Sequence, residues 1–576
     1  MSAQHQPQLT ARALMTGVVL GLILTPCNVY SGLKIGWSFN MSIAAALLSL
    51  GFWRLAQQLC GSAEWGLYEN NINQTTASAA ASIISGGLVA PIPAWTLLTG
   101  QTLPITWLVL WVFTVSALGI GVAASLRRSL IIEQKLRFPA GVATAETITQ
   151  IYRGGRAAVL KLRALVAALL IAAGNSWAQS LGLGLARWSP PGTGLHGLSL
   201  QKLGIALDPS LLMLGFGAII GWRAGLSLLL GALLAWGLLA PEVIRRGWVQ
   251  ASPDAELWFG PLVEWLLWPG VTLMVVSSLG SFLLYLATNS PTKIRQGEPA
   301  APRSDLSRSW MVGGFVLAAI AAVILQQHLF GIRWWAATAG VTMSFGLAVV
   351  AARVVGETGI PPIGAIGKVA QLGFGAIAPG SVSSNLMGAN VTGGAAGQSA
   401  DLLNDLKTGY AIGACPQSQI LAQTLGILCG SVVGSLSYLV LIPDPHTQLL
   451  SAQWPAPAVA TWKAVAEVLA GGWEALPPHA ATASASAAVV AVALLVLQKR
   501  LGPTAQAWLP SGPALGLAFV IPAWISVGMF TGAALALFFA RVAPAHARSY
   551  TLPVAAGLVA GESLAGVGHA AWALLG

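Results

Sequence analysis

Long apolar stretches dominate this chain, and charged residues punctuate them at intervals close to one membrane thickness. A span needs about 20 mostly apolar residues, because about 30 Å of hydrocarbon is crossed at about 1.5 Å per residue. Charge-free stretches run 13 to 33, 35 to 53, 70 to 126, 164 to 186, 209 to 222, 224 to 241, 265 to 292, 309 to 332, 334 to 352, 369 to 400, 408 to 443, 475 to 498, 501 to 540, and 549 to 576 interrupted only by Glu562. The stretch from 70 to 126 holds at least two spans, and those at 369 to 400 and 501 to 540 have room for two. The pattern predicts an all-α polytopic membrane protein of about 14 to 16 transmembrane helices. Residues 1–308 and 309–576 would be the two transmembrane halves of one integrated membrane domain.

Breaks in these helices carry more information than the helices. Irregular backbone is tolerated at membrane depth only where protein or a water-filled cavity satisfies its polar groups, so Gly, Pro and Asn clusters there mark a pathway. Three clusters qualify: Pro26 to Lys34, Gly356 to Pro362, and the small polar stretch Asn385 to Asp405. The chain also resembles itself. NINQTTASAAAS (71 to 82) and GANVTGGAAGQSAD (388 to 401) share Asn-x-Thr followed by small residues, and FPAG (138 to 141) is echoed by LPSG (509 to 512). Weak internal repeats of this kind suit transporters that alternate access.

Composition narrows the classes. Charged residues are only 8% of the 576, against roughly 25% in ordinary globular proteins, which excludes soluble domains and disorder. The net charge of +11 would suggest nucleic acid in a soluble protein, but these basic residues sit in short loops and read as topology signals, so no nucleic-acid partner is expected. Segment 125 to 163 carries eight basic and two acidic residues, whereas 242 to 264 carries two basic and four acidic. The first should be cytoplasmic, and counting crossings backwards from it puts the N-terminus inside. The start of the chain offers no small-x-small cleavage site and reads as a membrane span rather than a signal peptide. Cys27, Cys60, Cys415 and Cys429 form no CxxC pair, so neither a disulfide framework nor a metal site is expected.

No catalytic constellation is visible, and the protein reads as not an enzyme. GAIGKV (364 to 369) lacks the first Gly and the Ser or Thr of a phosphate loop. Ionisable residues within apolar runs are the positive signal, since each costs about 2.5 to 3.5 kcal/mol at a helix centre on insertion scales. Glu357 and Glu562 lead as proton-coupling candidates, followed by Glu146 and Glu69, with Asp401 and Asp405 as a self-repelling i,i+4 pair unless a cation such as Lys407 intervenes. Lys34, Arg353 and Lys407, with the uncharged Asn28, Tyr30, Asn73, Thr75, Asn385, Asn390 and Gln419, are the substrate-binding candidates, offering donors and acceptors suited to peptide bonds and carboxylates. The competing view of each is a buried ion pair or a small residue that fixes helix packing. No cofactor is expected; the energy source would be the proton gradient.

Several strings carry a family resemblance: GLILTPCNVYSGLKIGWSFNMSIAAALL near the start, ENNINQTTASAAASI, LRFPAGVATAETI, the long string from ARVVGETGIPPIGAIGK through GANVTGGAAGQSADLLNDLKTGYAIG to LAQTLGILCGS, LPSGPALGLAF and GLVAGESLAGV. From about residue 12 to its end the chain resembles the oligopeptide transporter family, which includes the yellow stripe-like metal-chelate transporters, and within it the shorter prokaryotic branch, since the acidic amino-terminal extension of fungal peptide transporters is absent. The resemblance implies a proton-coupled secondary transporter of about 16 spans, carrying small peptides or peptide-like metal chelates through a bacterial inner membrane. The rival classes are a channel for small polar solutes and a membrane enzyme acting on lipid-linked substrates. Association with further copies of the chain is left open.

Overall fold

The computed structural model describes residues 8–36, 40–153, 155–252, 255–288, 308–358, 363–472, 476–506 and 508–575. Among them there is no strand, only isolated bridges such as Trp188 with Leu207, and thirteen helices are long and apolar enough to cross a membrane. The protein is an all-α polytopic membrane protein. The helix Ala389–Ile412 has the length of a span at 24 residues, yet Asn390, Gln398, Asp401, Asn404, Asp405 and Lys407 make it too polar to count. Ile363–Ile377 is apolar but short.

Polarity is arranged inside out relative to a soluble protein. Met15, Leu317, Val489 and Phe538 are exposed on the outer faces of their helices, while Asn70, Asn71, Asn73, Gln74, Thr75 and Thr76 are fully buried. Lipid solvates the first set, and only neighbouring helices can satisfy the second.

The chain forms two compact units. The first takes Met1–Val29, Ser38–Arg163 and Asn289–Val440; the second takes Tyr30–Trp37, Ala164–Thr288 and Leu441–Gly576. The division of the chain at residue 308 is a different one, since each unit takes segments from both sides of it.

In the first unit the two internally similar strings form Leu67–Ala81 and Ala389–Ile412, both buried along nearly their whole length. Small residues let them approach their neighbours: a Cβ on Gly119 would meet the Ala395 carbonyl oxygen at 2.7 Å, and one on Gly21 would meet Ala80 at 2.8 Å. Asparagines bridge between helices, with Asn70 Nδ2 donating to the Ala46 carbonyl at 3.2 Å and accepting from Ser49 Oγ at 3.0 Å. After Ala81 the helix tightens through a 3₁₀ turn, Ser82–Gly86, and is interrupted at Gly87, whose φ of 114° favours glycine.

In the second unit Leu211–Ala232 is broken at Gly221 (φ 79°, ψ 175°), beside the charge at Arg223 that divides the two apolar stretches in the sequence. A second break follows Gly512–Leu517: residues 518–522 turn before Ala523–Val542 begins. Trp236 Nε1 donates to the carbonyls of Ala518 and Ile521 at 2.9 and 3.0 Å, which satisfies that turn without water.

Two of the three expected breaks are corrected. The helix Ala11–Ile35 runs through Pro26, as membrane helices allow; on either side the Thr25 hydroxyl donates to the Gly21 carbonyl at 2.7 Å and the Cys27 thiol to the Ile23 carbonyl at 3.4 Å. The stretch Asn385 to Asp405 is helical, apart from a π-helical widening at Ser384–Gly388. For the third, Trp334–Thr358 ends and Ile363–Ile377 begins on either side of residues 359–362, so Gly359 to Pro362 lie outside the described residues.

Candidate functional site

The second unit contains a cavity of about 400 Å³ lined by Tyr30, Lys34, Ser176, Gln179, Arg187, Asp208, Ser210, Met213, Ala452, Gln453, Trp524, Ile525 and Glu562. That size falls in the small-ligand range of roughly 300–1,000 Å³. Its wall carries two cationic and two acidic side chains.

Each charge is placed by a local device. Lys34 ends the helix Ala11–Ile35, where its ammonium lies 4.9 Å from the Trp454 ring centroid and 5.7 Å from that of Tyr30, and donates to the Gln453 carbonyl at 2.7 Å. Among the described residues no carboxylate lies within ion-pair distance of it. Tyr30 and Trp454 pack edge to face, with centroids 5.3 Å apart, so the two rings form a fixed seat for the cation. Tyr30 also closes over Gly566, where a Cβ would meet its ring at 2.5 Å.

Glu562 lies opposite, at the N-terminus of Leu211–Ala232. Its Oε1 accepts from Ser210 Oγ at 2.6 Å and its Oε2 from the Leu212 N–H at 2.9 Å. Ser210 is the cap of that helix: its Oγ accepts from the Met213 N–H at 3.3 Å, and its own N–H donates to Asp208 Oδ1 at 3.0 Å. Both Glu562 oxygens therefore act as acceptors at the positive end of a helix, an environment that suits a carboxylate anion. A proton on Oε1 would reverse the bond to Ser210 Oγ, which can accept as well as donate, and would remove the charge at the helix end.

Arg187 completes the set. Its Nε donates to Asp208 Oδ2 at 2.7 Å, and its guanidinium stacks on Trp524. Lysine, arginine and carboxylates in one small cavity match the two ends of a zwitterion.

Of the residues expected from the sequence, the structure brings Tyr30, Lys34 and Glu562 together here. The rest lie in the first unit. Asn28 Nδ2 donates to the Ala81 carbonyl at 3.0 Å, and Asn73 Nδ2 to the Ala45 carbonyl at 3.3 Å. Asn390 Oδ1 accepts from Trp111 Nε1 at 2.9 Å, beside Gly87. Asn385 exchanges two hydrogen bonds with Gln371, at 2.7 and 3.0 Å, and Lys368 donates to Gln371 Oε1 at 3.0 Å. Thr75, Asp405 and Gln419 meet: Gln419 Nε2 donates to the Asp405 carbonyl at 2.7 Å and lies 3.4 Å from Thr75 Oγ1. Lys407 does not neutralise the aspartates, because its ammonium donates to the Leu136 carbonyl at 2.7 Å.

Three acidic candidates are otherwise engaged or turned away. Glu69 caps its own helix through the Gly66 N–H at 3.1 Å, accepts from Thr10 at 2.6 Å and pairs with Arg12. Glu357 pairs with Arg353 at 3.1 Å, both partly exposed. Glu146 is exposed on Pro139–Arg153.

Sequence reasoning missed Arg187, Asp208, Ser210, Gln453 and Trp524. Asp-Pro-Ser before an apolar run is a helix-start pattern that would have flagged Asp208 and Ser210. A repeat would have flagged Trp524: Ile-Pro-Ala-Trp occurs at 92 to 95 and again at 521 to 524, each time just after a break in a helix. In the first unit that tryptophan, Trp95, donates to Ser383 Oγ at 3.0 Å.

Known proteins match along nearly the whole chain. A family model described as OPT oligopeptide transporter protein matches residues 8–573. A Saccharomyces cerevisiae protein that bears the provisional name oligopeptide transporter is 24% identical, over 97% of this chain and 95% of its own length. A probable metal-nicotianamine transporter of Oryza sativa subsp. japonica is 24% identical, over 97% and 89%, and a metal-nicotianamine transporter of Arabidopsis thaliana is 24% identical, over 97% and 92%.

Proposed function

We propose, because this chain belongs to the OPT oligopeptide transporter family, that it is a proton-coupled symporter importing small oligopeptides or peptide-like metal chelates across a bacterial plasma membrane, with its N-terminus cytoplasmic. The reading of a membrane transporter and not an enzyme follows from the family and its relatives.

One observation carries the proposal: Lys34, a cation whose one hydrogen-bond acceptor among the described residues is the Gln453 carbonyl, shares a small cavity with the carboxylates of Glu562 and Asp208. A substrate carboxylate would pair with Lys34, and a substrate ammonium would face the acidic wall. Glu562 is the group we assign to the proton. Protonation would reverse the hydrogen bond with Ser210, the cap residue, and would remove the charge that the positive helix end attracts, at the N-terminus of a helix that is itself broken at Gly221. Charge at the site and conformation of that helix are thereby linked, and a substrate that prefers one conformation also prefers one protonation state. The Arg353–Glu357 pair neutralises itself and supplies no such link.

Uptake into proteoliposomes decides the matter. Di-, tri- and tetrapeptides and amino-acid-derived metal chelates would be offered with and without an imposed pH gradient, inside alkaline. Accumulation above the external concentration that collapses with a protonophore is the expected result. Flux that only equilibrates, whatever the gradient, would make the protein a facilitator or channel instead.

A further inference from the structure

A second set of charges, entirely within the first unit, is unused by the transport site. Asp401 and Asp405 are one helical turn apart on Ala389–Ile412. Asp405 is 1% exposed. Ser42 Oγ lies 3.4 Å from Asp405 Oδ1, and Gln74 also faces this carboxylate. Ser82 and Gln423 face that of Asp401. Gln419, one turn before Gln423 on Pro416–Leu441, holds the Asp405 carbonyl and turns this face of its helix toward the aspartates. Lys407 is directed away, to the Leu136 carbonyl.

The polar accounts of this cluster do not balance. Asp401 Oδ2, Asp405 Oδ2, Gln74 Oε1 and both amide atoms of Gln423 are buried without a hydrogen-bond partner, and Gln74 and Gln423 are completely inaccessible. Buried polar atoms without partners are costly and mark an absent ion or water. Here the deficit has a sign. Four of the five are oxygens, two of them on carboxylates, and among the described residues no basic side chain forms an ion pair with either aspartate. A single shared proton would serve at most two of those oxygens.

We propose that Asp401, Asp405, Gln74 and Gln423 form a binding site for a small, hard, oxygen-ligated metal cation. Carboxylate and amide oxygens are the ligands such ions select. The ion stands between Leu67–Ala81, Ala389–Ile412 and Pro416–Leu441 and removes the like-charge repulsion along the second of these. Sodium and calcium ions share this chemistry. The site is independent of the cavity around Lys34, and it stands whether or not Glu562 carries the coupling proton.

The test uses the full-length purified protein in detergent. Its unfolding midpoint is measured in choline chloride, KCl, NaCl, MgCl2 and CaCl2 at matched ionic strength, and at several pH values. A saturable rise of several degrees in sodium or in calcium, absent in choline and reproduced as about one bound ion per chain with ²²Na⁺ or ⁴⁵Ca²⁺, is expected; which of the two acts identifies the ion. Asp405→Asn, Asp401→Asn and Gln423→Ala should each lose that rise. Asp405→Asn should remain folded, since it removes a buried charge, and should melt higher than wild type in choline. Glu146→Gln, an exposed control, should keep the rise. No cation-specific shift in the wild type, the same shift in the aspartate variants, or a midpoint that follows pH alone would each overturn the proposal.

Discussion

The guanidinium carbon of Arg187 lies 3.8 Å from the ring centroid of Trp524, while the Nε of the same group donates to Asp208 at 2.7 Å. The planar group is held by its face and by one edge, and a lysine reproduces only the charge. Side-chain exposures of 41% for Arg187 and 14% for Asp208 limit the pair's contribution to stability to about 1 kcal/mol or less. Arg187→Ala should therefore leave a folded, monodisperse protein by size-exclusion chromatography. Substrate affinity should fall by roughly tenfold, equivalent to about 1.4 kcal/mol, and Arg187→Lys should recover little of it. Full recovery by lysine would show that stacking on Trp524 is irrelevant.

Glu562→Gln separates coupling from binding. Glutamine can keep both contacts, its Oε1 accepting from the Leu212 N–H and its NH2 donating to Ser210 Oγ, but it carries neither the charge nor the exchangeable proton, so the site is held in one charge state. Gradient-driven accumulation should be lost, while exchange of substrate between the two sides at equal pH continues. The same change at Glu357 should leave accumulation largely intact, because that carboxylate serves a partly exposed pair within one helix. Accumulation that survives in both variants would remove the assignment of Glu562.

How far the sequence reaches is clear from particular residues. Apolar stretches separated by charges located the helices, because in lipid every backbone group must be satisfied within the segment. Tyr30, Lys34 and Glu562 were legible as ionisable or polar groups where hydrocarbon penalises them. Asp208 and Arg187 were not, because they sit in the 181–210 connection between two helices, where charge carries no penalty and so no signal. The continuity of Ala11–Ile35 through Pro26 was also hidden, since proline usually ends or kinks a helix and is tolerated here within a membrane helix. The bonds of Asn28 and Asn73 to the Ala81 and Ala45 carbonyls, which tie helices together, could not be read from the sequence, because nothing in it names the partner.

Glycine at helix crossings gives a stability test within the second unit. A Cβ on Gly217 would run into the Met529 carbonyl, and one on Gly532 into that of Leu214, so these two positions hold Leu211–Ala232 against Ala523–Val542 from opposite sides. Gly217→Leu or Gly532→Leu should cost about 1–3 kcal/mol as overpacking, seen as a lower unfolding midpoint and a smaller folded fraction after extraction. Gly174 lies in Gly155–Ser180 with nothing near its missing Cβ. Gly174→Ala should be neutral or stabilising by up to about 1 kcal/mol. Equal effects at all three positions would mean that the crossing does not depend on close backbone approach.

Orientation can be read from one thiol. Cys60 is exposed at the end of Ser42–Cys60, whereas Cys27 is buried and Cys415 and Cys429 are partly covered. If the N-terminus is cytoplasmic, Ala11–Ile35 leads outward and Ser42–Cys60 returns, which places Cys60 in the cytoplasm. Leu67–Thr99, although broken, must then cross once, so that Ile105–Glu133 brings the basic segment 125 to 163 back to the same side. This is the side that positive charge favours. In a protein whose other three cysteines are replaced by serine, a membrane-impermeant maleimide should label Cys60 in inverted vesicles and not in intact cells. Labelling in intact cells would place the N-terminus and Cys60 outside. It would also require Leu67–Thr99 to re-enter rather than cross if the eight basic residues of 125 to 163 are to remain in the cytoplasm.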